Sequence, residues 1–234
     1  MTESTRKYFA EFLGTFTLVF VGTAVATLQQ GIGDAVPAWG PGTGLLGISF
    51  AFGFTLMVLV YVVGPVSGCH INPAVTIPMA ISGRLKWNLV PGYIIAQLVG
   101  AVVASMALWA LLSGVDGYSL GVHQLGANGN LAGMPPEFLL GWEVLITALF
   151  LFTIFSATKK GANPAVCGLA IGSFLFVAHL IGAQLGDSSL NPARSFGPAI
   201  IQRGDALAVL WVFIVGPVIG GVIGYGLYRV ANEE

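Results

Sequence analysis

The sequence INPAVT at residues 71–76 has a close counterpart in LNPARS at residues 190–195. The shared positions are Asn72, Pro73 and Ala74 in the first stretch and Asn191, Pro192 and Ala193 in the second. Asparagine is a preferred N-cap, and proline at the first helical position lacks only an N–H that would be unpaired there. Each stretch opens a segment of about ten apolar or neutral residues, which as a helix spans roughly 15 Å, half of a ~30 Å hydrocarbon core. The pattern predicts two half-spanning helices, at 72–82 and 191–201, that begin with their positive dipole ends.

Composition places these half-helices in a membrane. Of the 234 residues, 56% are hydrophobic and 8% are charged, whereas soluble domains carry roughly 25% charged residues. The 9 Lys and Arg residues are balanced by 10 Asp and Glu residues, which leaves no basic surface for a nucleic-acid partner. The 2 cysteines form neither a disulfide framework nor a zinc site. We therefore expect an integral protein of the lipid bilayer, with no cofactor or metal.

Six stretches are long and apolar enough to cross the bilayer, which takes about 20 residues. They are residues 8–28, 44–63, 88–112, 138–158, 165–184 and 207–230. The basic residues outside the membrane segments are distributed unequally between the two sides. One side has Arg6, Lys7, Arg84, Lys86, Lys159, Lys160 and Arg229, and the other side has only Arg203. By the positive-inside rule both termini are cytoplasmic. The expectation is a multi-pass protein of the cell membrane, with residues 1–234 forming one transmembrane domain.

The chain contains an internal repeat. AEFLGT at 10–15 opens the first span and WEVLIT at 142–147 opens the fourth, and in both an acid precedes a threonine by four residues. Each half then has three spans with one Asn-Pro-Ala segment between the second and the third. Because three is an odd number, the second half enters from the opposite face. We predict an all-α membrane protein of six transmembrane helices plus two half-spanning re-entrant helices, a 3+3 inverted repeat over about 8–112 and 138–230, with its site near the bilayer midplane.

Glu11 and Glu143 are acids inside predicted spans, at equivalent positions of the two repeats. Acids within a membrane are functional by default, and two of them can relay protons in a transporter. Their pairing, one to each half, favours a structural role instead. In that interpretation each carboxylate accepts hydrogen bonds from the backbone of a loop and holds one half-helix in place.

Further residues of the sequence match a known pattern. Ser67-Gly68-Cys69-His70 precedes the first Asn-Pro-Ala motif, and Tyr93-Ile94-Ile95-Ala96-Gln97 lies in the third span. With these features, the paired motifs and the two acid-bearing repeat openings, the chain resembles the aquaporins of the major intrinsic protein family over about residues 8–229. It resembles their water-selective prokaryotic members. The resemblance implies the fold derived above, water as the permeant and a homotetramer with one pore in each subunit.

The resemblance also implies a selectivity filter, the narrowest part of the pore, at Phe52, His179, Ser188 and Arg194. Bulky Phe52 and His179 are similar to the water-selective members, whereas glycerol-conducting relatives have a small residue in place of the histidine. Those relatives also have an aspartate directly after the arginine, where this chain has Ser195. Ser188 departs from the usual Cys or Thr, which predicts a slightly wider filter and some leakage of small neutral solutes.

A water molecule that enters a lumen one molecule wide loses most of its hydrogen bonds, so the pore wall has to replace them. The predicted acceptors are the backbone carbonyls of Gly68, Cys69, His70, Asp187, Ser188 and Ser189. The predicted apolar wall consists of Leu56, Ile71, Leu175 and Leu190. As in aquaporin-type pores, Arg194 and the converging helix dipoles should repel cations and protons.

The predicted function is a passive channel that moves water in single file along osmotic gradients and excludes ions and protons. Two alternatives stay open. One is a channel for small neutral solutes or gases such as glycerol, ammonia and CO2, and the other is a proton-coupled secondary transporter that uses Glu11 and Glu143. An enzyme is disfavoured because the sequence has no evident nucleophile–base or metal-ligand cluster; its histidines are scattered at 70, 123 and 179.

Overall fold

Long apolar helices make up most of the structure, a computed structural model that describes residues 1–129, 133–184 and 188–232. Its helices are α1 (Glu3–Leu28), α2 (Pro41–Val62), α3 (Gly64–Ser67), α4 (Pro73–Ile81), α5 (Val90–Leu112), α6 (Leu120–His123), α7 (Pro136–Ala157), α8 (Pro164–Gly182), α9 (Pro192–Gln202), α10 (Gly204–Ala208) and α11 (Val212–Asn232). Within these ranges the only β-type pairing is one isolated bridge between Ile32 and Val36.

Six of these helices, α1, α2, α5, α7, α8 and α11, are long and apolar enough to cross a membrane. They confirm the six predicted spans and the fold class. The prediction for the sixth span began too early, at residue 207, because the chain first forms the short helix α10 and turns before α11 begins at Val212. The first span begins earlier than predicted, since the hydroxyl of Thr2 accepts a hydrogen bond from the N–H of Thr5 and caps α1.

The two half-spanning helices are α4 and α9, and both begin directly after the predicted asparagine. The side-chain oxygen of Asn72 accepts a hydrogen bond from the N–H of Ala74 at 2.8 Å, and that of Asn191 accepts one from Ala193 at 3.0 Å. Both helices continue past an internal proline, Pro78 in α4 and Pro198 in α9. Local N-cap chemistry therefore fixes where each half-helix starts.

The bundle is assembled from pairs of helices that approach closely at glycines. Helix α1 packs along α5, α2 along α8, and α7 along α11. A Cβ atom at Gly100 of α5 would lie 2.5 Å from the carbonyl oxygen of Phe12, and one at Gly220 of α11 would lie 2.4 Å from that of Val144. Only glycine permits these distances, as expected for helix crossings in membranes.

Each half-helix packs against a long helix of the opposite repeat. Helix α4 lies against α11 and helix α9 lies against α5. Gly221 of α11 lets the carbonyl of Ala74 come close, and Gly197 of α9 does the same for Ala101 of α5. The two halves of the chain therefore hold each other's half-helix, which brings the two Asn-Pro-Ala segments together.

Candidate functional site: a lumen where two half-helices meet

A cavity of about 460 Å³ lies inside the bundle, and we call it the lumen. Its wall includes most of the residues predicted from the sequence: Phe52, Leu56, Gly68, Cys69, His70, Ile71, Asn72, Leu175, His179, Ser189, Leu190, Asn191 and Arg194. Further apolar residues complete it, among them Leu18, Val60, Phe150, Ile154 and Ile171. The predicted carbonyl of Asp187 lies outside the described residues.

The half-helices are joined head to head by two reciprocal hydrogen bonds. The side-chain nitrogen of Asn72 donates to the carbonyl of Leu190 at 2.7 Å, and that of Asn191 donates to the carbonyl of Ile71 at 2.9 Å. One N–H of each amide is used in this way, and the second N–H remains to serve a molecule in the lumen. The positive ends of two helix dipoles therefore meet at one point of the lumen wall.

The residues before the two asparagines have an unusual backbone. Ile71 has a φ of 42° and Leu190 a φ of 54°, in the left-handed region that bulky side chains rarely adopt. Such a conformation costs about 1–3 kcal/mol per residue and persists only where the surroundings impose it. It turns the carbonyls of Ile71 and Leu190 toward the opposite asparagine, so this strain is part of the junction between the half-helices.

Glu11 and Glu143 are the groups that hold these strained segments. Both side chains are fully buried. Glu11 accepts hydrogen bonds from the N–H groups of His70 and Ile71, at 2.9 and 2.6 Å. Glu143 accepts them from the N–H groups of Ser189 and Leu190, at 2.6 and 2.9 Å. A carboxylate that accepts several hydrogen bonds offsets part of the cost of burying its charge.

Side chains add further support to Glu11. The hydroxyl of Ser67 donates to it at 2.6 Å and the amide of Gln97 at 2.7 Å. The same Gln97 nitrogen lies 2.9 Å from the hydroxyl of Thr76 in the half-helix α4. Span one, span three and the first half-helix are thus connected through one buried acid.

Three of the residues predicted to form the filter, Phe52, His179 and Arg194, come together in the lumen wall. The rings of Phe52 and His179 stack with centroids 4.4 Å apart, and the guanidinium carbon of Arg194 lies 4.7 Å from the Phe52 centroid. His179 Nδ1 lies 3.0 Å from the carbonyl of Leu175. Because a carbonyl only accepts, Nδ1 carries the proton and Nε2 is the acceptor of the neutral ring. Nε2 has no hydrogen-bond partner in the described part of the chain, so it can receive a hydrogen bond from a water.

Ser188, the fourth residue of the predicted filter, is not among the described residues that line the lumen, and its hydroxyl is hydrogen-bonded to a neighbouring helix. It accepts a hydrogen bond from the indole nitrogen of Trp142 at 3.0 Å. The expectation of a filter widened by the small side chain treated Ser188 in isolation. In the structure its hydroxyl belongs to a contact with α7.

Arg194 is held by a loop that sequence reasoning did not identify. Its Nη1 donates to the carbonyl of Gly126 at 3.0 Å and to Oδ1 of Asn128 at 2.6 Å. Ser195, the next residue of α9, donates to the same Asn128 oxygen at 2.7 Å. The hydroxyls of Ser189 and Ser195 are also hydrogen-bonded to each other. No motif or spacing in the sequence points to Gly126 or Asn128.

Cys167 also lines the lumen, although it was not predicted from the sequence to do so. It lies on α8, together with Ile171, Leu175 and His179, at every fourth position. This spacing puts all four residues on one helix face, which is the one pattern that could have revealed it.

The described residues contain no cluster of three or more His, Cys, Asp or Glu side chains able to hold a metal ion.

Six membrane-spanning helices, an inverted repeat and two half-helices that meet in a lumen define a membrane channel. A model of the major intrinsic protein family matches residues 1–228. The chain belongs to this family, which includes the aquaporins.

Relatives agree with this assignment, and a solved structure agrees with the fold. The chain is 40% identical to a protein named Aquaporin Z from Rhodopseudomonas palustris, over 99% of this chain and 95% of the relative. Proteins of the same name from Bradyrhizobium diazoefficiens and Photorhabdus laumondii are 40% and 39% identical, over 98% of this chain and 94% and 98% of theirs. The X-ray structure of the aquaglyceroporin from Plasmodium falciparum superposes with a TM-score of 0.83 at 21% identity, covering 96% of this chain and 95% of that one. At this identity the last comparison shows the fold.

Proposed function

We propose that the chain is a passive water channel, in which water passes in single file through the lumen while ions and protons are excluded. Membership of the major intrinsic protein family and about 40% identity to three proteins named Aquaporin Z support water as the permeant. The observation that carries the mechanism is the reciprocal hydrogen bonding of Asn72 to Leu190 and of Asn191 to Ile71. It puts two positive helix ends and two amide donors at the same place in the lumen.

The filter supplies polar groups on one side and an apolar surface on the other. Arg194 donates hydrogen bonds and His179 Nε2 accepts them, whereas the ring of Phe52 offers none. A water molecule can exchange its lost hydrogen bonds for these. A cation meets a permanent positive charge at Arg194 and loses its hydration without compensating ligands, which costs several kcal/mol. The carbonyls of Gly68, Cys69, His70, Ser188 and Ser189 are proposed to serve water along the rest of the path.

Proteoliposomes under osmotic shock test this function. Vesicles that contain the protein should shrink much faster in stopped-flow light scattering than empty vesicles. Leu175 lines the lumen, whereas Val177, two residues further along α8, is 47% exposed on the outside of the bundle. Leu175→Trp should therefore return shrinkage to the empty-vesicle rate and Val177→Trp should not. Fast shrinkage in both variants, or in neither, would disprove the proposed path.

The same vesicles discriminate the two alternatives. A channel for small neutral solutes shows rapid re-swelling in a glycerol gradient, and a proton-coupled transporter shows saturable uptake that requires a pH difference across the membrane. We expect glycerol to enter much more slowly than water, because the bulky pair Phe52 and His179 narrows the filter. We also expect no saturable uptake that depends on a pH difference. The carboxylates of Glu11 and Glu143 are engaged with loop backbone, which supports their proposed structural role.

We also propose a homotetramer in the cell membrane with both termini in the cytoplasm. The lumen is lined by a single chain, so each subunit would carry its own pore. Large apolar side chains such as Phe50, Phe54 and Leu145 are exposed on the outer faces of the helices, where a neighbouring subunit or lipid can cover them. Native mass spectrometry in detergent reports the subunit number, and labelling of a cysteine added after residue 234 in intact cells reports the side of the C-terminus.

A further inference from the structure

We propose that Trp142 and Gly182 are positioning residues of the filter, which fix Ser188 and thereby set the discrimination between water and glycerol. This inference rests on the proposed water-channel function. It concerns a bond on the outer side of the pore wall, between helix α7 and the segment that precedes the half-helix α9.

Three contacts define the arrangement. The indole nitrogen of Trp142 donates a hydrogen bond to the hydroxyl of Ser188 at 3.0 Å. Gly182, in the last turn of α8, leaves the room for this bond, because a Cβ atom there would lie 1.6 Å from Ser188 Oγ and 2.9 Å from Trp142 Nε1. The hydroxyl of Ser188 is therefore fixed by an indole on one helix and by the bare backbone of another.

This contact adds one residue to the set of hydrogen bonds between α7 and the segment that leads to α9. Glu143, which follows Trp142, accepts hydrogen bonds from the N–H groups of Ser189 and Leu190. Two consecutive residues of α7 thus hold three consecutive residues of the segment leading to α9. Glu143 holds the backbone near the half-helix junction, and Trp142 holds the side chain of Ser188 on the outer side of the pore wall.

Comparison of the two repeats shows that the Trp142–Ser188–Gly182 arrangement occurs only in the half that carries Arg194. Counted back from Asn72 and from the acid Glu11, the equivalents in the first half are Ala10 for Trp142, Cys69 for Ser188 and Val63 for Gly182. The side chain of Ala10 has no donor, and Val63 packs beside Gly14 instead of leaving a space. All three positions differ together, and the half without Arg194 lacks the bond.

The physical consequence concerns the stiffness of the filter wall. A serine hydroxyl adopts three staggered rotamers, and the bond to Trp142 holds one of them. Without the indole N–H the side chain can change rotamer, and the segment that carries Ser188 is held less firmly. Water needs little room and should be affected least. Glycerol is larger, so its permeability should increase most when the filter wall is less rigid.

The test is a double-mutant cycle with the permeability ratio of glycerol to water as the readout. Trp142→Phe removes the donor and keeps an aromatic ring, and Ser188→Ala removes the acceptor. Each single variant should raise the glycerol-to-water ratio several-fold, and the double variant should raise it no further, because both changes break the same bond. Trp211→Phe serves as the control, since Trp211 is 48% exposed on the outside of the bundle.

A second cycle uses Gly182. Gly182→Ala should lower the water permeability because the new Cβ overlaps Ser188 Oγ, and Ser188→Ala should restore part of the loss because that oxygen is gone. Gly141→Ala is the matched control, since a Cβ at Gly141 meets nothing within 4 Å. Additive effects in either cycle, or a Trp142→Phe variant with the wild-type ratio, would overturn the inference. Wild-type vesicles that shrink no faster than empty ones would instead overturn the proposed function.

Discussion

Arg194 Nη1 lies 2.6 Å from Oδ1 of Asn128, a residue of the loop between α5 and α7. The same oxygen accepts a hydrogen bond from Ser195, so Asn128 ties the loop to two consecutive residues of the half-helix α9. Hydrogen bonds from a guanidinium are about twice as strong as neutral ones. An amide from outside the two repeated motifs therefore helps to position Arg194, the one cation among the residues predicted to form the filter.

The first prediction follows from this bond. Asn128→Ala should lower the water permeability per channel, because Arg194 then loses its 2.6 Å hydrogen bond to the loop and is held less firmly beside the lumen. Asn128→Asp keeps an oxygen at the same place and should retain most of the permeability. Stopped-flow shrinkage, normalised to the amount of protein in the vesicles, measures both. Equal permeability in the alanine variant and the wild type would show that Asn128 does not position Arg194.

The second prediction concerns Glu11. Glu11→Gln replaces one of two acceptor oxygens by an N–H₂ group, although every group that faces the carboxylate is a donor: the Ser67 hydroxyl, two backbone N–H groups and the Gln97 amide. At least one buried donor is left unpaired, which costs about 1–3 kcal/mol of stability. We expect a lower unfolding temperature in detergent and a lower yield of folded protein.

The permeability of that variant separates the structural role from proton transport. Water permeability per folded channel should stay near the wild-type value, and it should not depend on a pH difference across the membrane in either protein. Loss of a pH-driven uptake in Glu11→Gln would instead support the transporter hypothesis.

Much of the fold was predictable because its determinants are local. Apolar stretches of sufficient length specify the six spans, and an asparagine followed by proline specifies each half-helix start. The meeting of the half-helices was also predictable, since an odd number of spans per repeat inverts the second copy. Predicted bounds 72–82 and 191–201 correspond to helices at Pro73–Ile81 and Pro192–Gln202.

The residues that position the filter were not predictable, because their contacts are tertiary and follow no spacing. Asn128 is one polar residue in a long loop, and it reaches Arg194 only after that loop folds back over the bundle. Trp142 looks like an ordinary membrane tryptophan until Ser188 is found beside its indole N–H. A motif identifies the groups that face the lumen. The side chains that hold those groups in position come from neighbouring segments that the motif does not specify.

The third prediction uses the two cysteines of the lumen wall. Both Cys69 and Cys167 are free thiols that line it. A mercurial bound to either would obstruct a path one water wide, so Hg²⁺ should inhibit water permeability. Cys69→Ser and Cys167→Ser should each leave part of the inhibition, because the other thiol still lines the lumen. The double variant with Cys167→Ser should be insensitive, and inhibition that survives both changes would mean that the lumen is not the water path.

The last prediction concerns the crossing of α7 and α11, which holds Glu143 in place. Gly220→Ala would put a methyl group 2.4 Å from the carbonyl oxygen of Val144 and 2.9 Å from Thr147 Cβ. Because the first of these neighbours is backbone, the helices must separate, and overpacking of this kind costs about 1–3 kcal/mol. Gly226→Ala, on the same helix, meets nothing within 4 Å and should leave stability unchanged.

The separation of α7 from α11 should also reach the filter. Helix α7 carries both Glu143 and Trp142, so a shift of this helix moves the hydrogen bonds to Leu190 and Ser188 together. Gly220→Ala should therefore lower the thermal unfolding midpoint in detergent and raise the glycerol-to-water ratio, whereas Gly226→Ala should change neither. A destabilised Gly220→Ala channel with an unchanged ratio would show that the filter is positioned independently of this helix crossing.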